Sequence, residues 1–307
     1  MEYGLALPTI GPAASPESIL RVAEGAERIG VSSLWVNERV LRTHAPFRYR
    51  GGELTLPATL GVNYAPLETL AYVAARTTRA RLGTSVLLSL LHGPVALGQR
   101  LATLDRLSGG RVIAGIGIPH MEAEYDAGGL PFSAKGDRFA EFVRVLRAVW
   151  GPDPVTFDGR FYRVPASDTG PKPVQPGGPP ILVGASHLAS VRRAAEMGLG
   201  LNPQARGGSF DEVAPLVAEF RTVAAATGHD PDSLPVVLRI GGGVGDDPSG
   251  ARPLLGTPEQ VVAELPGLEA LGVRHVIWGG LAADRDVQLE RMERVLALVD
   301  PPLPTVR

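Results

Sequence analysis

The chain has 307 residues, a net charge of −2 at pH 7 and a hydrophobic fraction of 44%, which fits one large α/β domain with a sizeable core. A near-neutral chain offers no broad basic field to nucleic acid or an anionic membrane, and no apolar run reaches the roughly 18 residues of a membrane span. Cysteine is absent, which removes disulfides, thiolate nucleophiles and thiolate metal sites together.

The opening segment MEYGLALPTIGP has no basic stretch before its short apolar run, so a cytoplasmic protein without a secretory signal is expected. Tyr3–Leu7 reads as the first strand, and Pro16–Ile29 as a helix behind a Ser15 cap. Ser33–Val36 is the second strand, followed by a long loop from Asn37 to Ala65. The helix Pro66–Thr77 leads to a third strand, Arg81–Leu87. Next come the helix Gly93–Leu107, the strand Val112–Ile116 and an amphipathic helix Ala134–Trp150, whose apolar face carries Phe139, Phe142, Val143, Leu146 and Val149. VTFDGRFY predicts a hairpin with a type I′ turn at Asp158-Gly159. The strands Ile181–Val183, Gly200–Asn202, Val236–Ile240 and Val276–Trp278 follow, with helices over His187–Met197, Phe210–Thr227, Ala251–Leu271 and Val287–Val299.

Eight apolar strands, each followed by a helix, favour a (β/α)8 TIM barrel over an open doubly wound sheet. The expected insertions follow strands 2, 4 and 7. No composition break divides residues 1–307, so a single domain is expected; the Pro/Gly-rich run at 167–180 reads as a surface loop before a strand.

Several positions could carry chemistry. Gly115-x-Gly117 ends the fourth strand, and is either a tight turn or a place where a ring or phosphate approaches the backbone. A dinucleotide fingerprint needs a third glycine where His120 stands, so that reading is weak. Gly184-Ala185-Ser186 precedes a helix; it is either an anion site or a simple Ser186 cap. The run Gly241–Gly245 reads as a flexible rim loop. Six histidines show no metal-ligand spacing, so no metal is expected. Asn37-Glu38-Arg39 follows the second strand, on the face where barrel enzymes keep catalytic groups, although an ion pair ordering the loop would use the same residues. Trp278 is either rim packing or a pocket wall. The loop with Phe47, Tyr49, Asn63 and Tyr64 is placed to roof a pocket.

The runs ETLAYVAARTTRARLGTSVL, ATLDRLSGGRVIAGIGI, DRFAEFVRVLRAVW and PKPVQPGGPPILVGASHLASVRRAAEMG together resemble the bacterial luciferase-like superfamily, in its coenzyme F420-dependent branch. The resemblance implies a barrel holding F420, or alternatively FMN, at the strands' C-terminal ends. It implies a cis peptide at Ser85-Val86 behind the ring, Gly115, Gly117 and Ile118 beside it, and Gly184, Ala185 and Ser186 at the phosphate. Relatives often form dimers.

Two departures fall at reactive positions. Where deazaflavin relatives carry Ser-Asp-His, this chain has Asn37-Glu38-Arg39, and Pro119-His120 follows the ring segment. Glu38, Arg39 and His120 are therefore the catalytic candidates, with His120 as a replacement proton carrier because imidazole suits that role near neutrality. Tyr64 and Trp278 are the substrate-binding candidates. The expected activity is hydride transfer between F420 and a small or medium-sized organic molecule. The alternatives are an FMN-dependent monooxygenase and a cofactor-binding protein without turnover.

Overall fold

The structure is a computed structural model that describes residues 1–49, 51–205, 210–279 and 284–299. Eight parallel strands form its centre: β1 (Glu2–Ala6), β2 (Ser33–Val36), β3 (Arg81–Thr84), β4 (Val112–Gly117), β5 (Ile181–Ala185), β6 (Gly200–Ala205), β7 (Val237–Ile240) and β8 (His275–Trp278). Each pairs with its neighbours in sequence order. Two pairings exclude an open sheet: Glu2 registers with His275 between β1 and β8, and Ala114 with Ile181 between β4 and β5. The fold is a closed (β/α)8 barrel.

The long helices are α1 (Pro16–Arg28), α2 (Pro66–Ala74), α3 (Pro94–Leu107), α4 (Lys135–Trp150), α5 (Leu188–Glu196), α6 (Phe210–Ala226), α7 (Pro258–Ala270) and α8 (Arg285–Val299), with a short helix, Glu122–Ala127, before α4. Local chemistry starts several of them. Ser15 and Ser18 form a reciprocal capping box at α1, Thr257 and Gln260 do so at α7, and proline opens α1, α2, α3 and α7.

Strand alternation divides the core in two. Trp35, Ile113, Leu182, Val237 and Ile277 point into the barrel and pack on one another, while the residues between them face the helices. Trp35 fills the interior because its neighbours have no side chains. A Cβ at Gly83 would lie 2.3 Å from its ring, and one at Gly4 would lie 2.7 Å from its indole nitrogen. Below it, Trp35 Nε1–H donates to Ser33 Oγ at 2.7 Å, and Ser33 meets buried His275 Nε2 at 2.6 Å.

Part of the resemblance belongs to the barrel's N-terminal end. The carboxylate of fully buried Asp105 accepts from the backbone N–H groups of Val174 and Gln175, and the Arg111 guanidinium donates to the carbonyls of Ala74, Thr77, Ala80 and Ser108. Both residues tie loops to the barrel on the face that carries stability in this fold.

Two local expectations are corrected. The hairpin Val155–Asp158/Arg163–Ser167 forms, but Gly159 is not in the left-handed region that a type I′ turn requires. Its four-residue loop wraps instead around the Glu141 carboxylate, which accepts from the N–H groups of Arg160, Phe161 and Tyr162 at 3.1, 2.8 and 2.7 Å. The segment after β2 is also more than a loop. It contains a two-stranded hairpin, Phe47–Tyr49 with Gly52–Leu54, and a short 3-10 turn, Ala58–Gly61.

Candidate active site

A cavity of about 610 Å³ opens at the strands' C-terminal ends, within the range of small-molecule and cofactor sites. Inward-facing positions beyond the Trp35 layer build its floor: Gly117 on β4, Gly184 on β5 and Arg239 on β7 lie one or two alternations above Ile113, Leu182 and Val237, and Asn202 and Gln204 join them from β6. Ser85 and Val86 rise between them from the end of β3, and the peptide joining them is cis. Ser85 Oγ–H donates to Asn202 Oδ1 at 2.6 Å, Asn202 Nδ2–H donates to the Val237 carbonyl at 2.6 Å, and Arg239 Nη1–H donates to the Ser85 carbonyl.

The glycines serve Val86. A Cβ on Gly117 or Gly184 would sit 2.7 or 2.9 Å from a Val86 methyl, and one on Gly115 would lie 1.8 Å from the Thr84 carbonyl oxygen. Gly117, Ile118, Gly184, Ala185 and Ser186 line the cavity, but Gly115 does not. It is buried beneath the end of β3, so its missing side chain makes room for the Thr84 backbone and not for a ligand.

Glu38 is positioned by the segment that follows β3. Its N–H donates to the Val86 carbonyl at 3.2 Å, and its carboxylate accepts from Leu88 N–H at 2.6 Å. Both carboxylate oxygens lie 3.0 Å from His92 Nε2. Sequence reasoning missed His92, because 54 residues separate it from Glu38. Arg39 lines the cavity too; it feels the charge of Glu124 through space, and its Nη1 faces the Met121 sulfur at 3.7 Å. Burial lowers the Arg39 pKa and raises that of Glu124, and each offsets part of the other's shift. His120 lies under the hairpin, its ring 4.8 Å from that of Tyr49 and 5.6 Å from that of Phe47.

The two substrate candidates are corrected. Ile277 points into the barrel, so Trp278, one residue on, points out to the helical layer. There it is fully buried, with Nε1–H donating to the Leu254 carbonyl at 2.9 Å. Tyr64 is drawn back against the core, where its N–H donates to the Thr9 carbonyl at 2.9 Å. Neither lines the cavity; Ile10, Tyr49 and Leu60 do. The loop Gly241–Gly245 is also closely packed, since a Cβ at Gly242 or Gly243 would strike Leu255 or Gln288.

A second cavity of about 420 Å³ shares Tyr49, Ile118, His120, Gly184 and Ser186 with the first, and adds Arg48, Lys135, His187 and Arg193. Ser186 is not the cap of α5. His187 holds that position without a capping side chain, so the helix's first N–H groups have no side-chain acceptor beside this basic cluster.

The model of the luciferase-like monooxygenase family matches residues 1–255. The chain belongs to that family. Its relatives include an uncharacterised protein of Mycobacterium tuberculosis, 31% identical over 78% of this chain and 83% of the relative. They also include an F420-dependent glucose-6-phosphate dehydrogenase of Amycolatopsis mediterranei, 30% identical over 71% of this chain and 63% of the relative. Among solved structures, a monooxygenase from Streptomyces bottropensis aligns over 97% of this chain and 99% of its own, with a TM-score of 0.79 and 24% identity. An F420-dependent secondary alcohol dehydrogenase in complex with an F420-acetone adduct aligns over 97% and 99%, with a TM-score of 0.77 and 18% identity. These likenesses establish the shared barrel. Among the described residues no helix is long and apolar enough to cross a membrane.

Proposed function

We propose that this protein is an F420-dependent oxidoreductase acting on a small or medium-sized organic substrate. The carrying observation is the pairing of a polar-floored cavity with a basic annex around an uncapped helix start. That combination suits a planar heterocycle bearing an anionic tail. Ser85, Val86, Gly117, Ile118 and Gly184 would hold the ring, and Ala185 and Ser186, with Lys135 and Arg193 nearby, would hold the tail. The choice of F420 follows relatives at 30–31% identity that are F420-dependent glucose-6-phosphate dehydrogenases.

When bound, the deazaflavin supplies a ring carbon that gives or accepts hydride. The protein's own part is to orient a substrate under the Phe47–Tyr49 hairpin, exclude water, and hold one mobile proton. Glu38 is suited to that proton, because its carboxylate reaches the cavity while His92 connects it to more exposed surroundings. His120 serves the substrate side, beneath the roof. Arg39, on the cavity wall, orients or balances charge.

A second reading, an FMN-dependent monooxygenase, draws on Arg39 itself. Where the relatives' histidine would stand, this chain has a cation whose Nη1 faces the Met121 sulfur, and oxygen chemistry in a dry pocket needs that acid less. Titrating the purified protein with F420 and with FMN decides between them. Tighter F420 binding is expected, preferred FMN binding would sink the first reading, and binding of neither would leave a protein without turnover.

A further inference from the structure

Arg239 is a cavity cation that no described acid answers. It ends β7 as the inward-facing residue one alternation above Val237, and it lies at the floor beside Ser85. One guanidinium N–H is committed to the Ser85 carbonyl; Nε is buried with no hydrogen-bond partner. Among the described residues no carboxylate pairs with it. Asp246, the other acid near this wall, accepts from Gly243 N–H at 2.6 Å and lies 3.9 Å from Arg291. Burial alone lowers the Arg239 pKa, to about 10, so the side chain stays cationic at neutral pH. An enclosed cation without a counter-charge is costly to keep, and a bound anion removes that cost.

We propose that Arg239 is the counter-charge for an ionised cofactor ring, binding the ring in the state that carries a delocalised negative charge. Position separates this role from that of the tail. The basic annex has Arg48, Lys135 and Arg193, and Arg239 does not line it. Position also separates it from the substrate, which enters beneath Tyr49 and His120, while Arg239 meets the Ser85 carbonyl at the floor. A fixed charge beside the ring favours whichever protonation state is anionic. For FMN that is the reduced ring, which loses a proton near neutrality; for F420 it is the oxidised ring, through its hydroxyl.

The inference rests on the proposed cofactor reading, and the test separates the two. Dissociation constants are measured anaerobically at about pH 8, with the full chain, for oxidised FMN, reduced FMN and oxidised F420. The wild type is compared with Arg239→Met, Arg239→Gln and Arg239→Lys, each checked for folding by circular dichroism. The wild type should bind reduced FMN at least about tenfold more tightly than oxidised FMN, the scale of one charge-assisted contact in an enclosed site. Met and Gln should abolish that preference while leaving oxidised FMN within about threefold, and should weaken oxidised F420 about tenfold; Lys should retain most of both. A folded Met or Gln variant with the wild-type preferences overturns the role of Arg239 alone. A wild type that binds neither FMN nor F420 overturns the cofactor reading, and this proposal with it.

Discussion

Buried His275 should make the barrel acid-labile in a way that one substitution can remove. Its imidazole is 5% exposed, with Nε2 2.6 Å from Ser33 Oγ and Nδ1 3.2 Å from the Glu2 carboxylate. With Nδ1–H turned to Glu2, the neutral ring leaves Nε2 to accept from the Ser33 hydroxyl, while Ser33 Oγ accepts from Trp35 Nε1–H. Burial, with a smaller contribution from nearby Arg81, lowers the His275 pKa from 6.5 to about 3. Glu2 is half exposed, and its pull toward the charged form is screened by water. The unfolded chain therefore takes up a proton below the ordinary imidazole range, whereas the folded chain does so only near the lowered value. Stability from this group is complete above that ordinary range and is lost as pH falls through the interval between the two values. The loss should reach about 2 kcal/mol at about pH 5 and at most about 5 kcal/mol in stronger acid, at 1.36 kcal/mol per unit. His275→Gln keeps a donor and an acceptor but does not titrate. In urea unfolding at about pH 7 and about pH 5, the wild type should lose about 2 kcal/mol more than the variant between the two conditions. Equal losses would refute the assignment of a neutral, proton-excluding histidine.

Three further outcomes follow from packing and hydrogen bonds. Glu141→Gln should cost about 1–3 kcal/mol in chemical unfolding, because a buried carboxylate serving three backbone N–H groups is replaced by a neutral amide; a change under about 0.5 kcal/mol would contradict that role. Gly83→Ala places a methyl 2.3 Å from the rigid Trp35 ring, and should destabilise by about 1–3 kcal/mol or block folding. An unchanged melting temperature would show that the interior has slack. Trp278→Phe should cost about 1 kcal/mol through the lost bond to Leu254 and leave cofactor affinity unchanged. Weakened cofactor binding in a stable Trp278→Phe protein would restore the pocket-wall reading.

The barrel is legible in the sequence, because strand and helix periodicities repeat along the chain without a break. Glu38, Arg39, His120, Ser85 and Val86 were also legible as cavity residues, since they follow strand ends and lie in or beside matched segments. Asn202, Gln204 and Arg239 had a signal that went unused. They are polar residues in otherwise apolar strands, in phase with the inward-facing positions. The same parity would have excluded Trp278, had the inward phase of β8 been known.

That phase is what sequence by itself cannot supply. Local patterning determined the number, order and kind of elements, because each depends on neighbours within one or two turns. The tertiary structure decided which face of each strand looks inward, that Glu38 meets His92, and that Gly115 makes room for Thr84 and not for a ligand. Those outcomes depend on barrel closure, which brings residues from distant parts of the chain into one enclosed place. There, burial and charge act on them together.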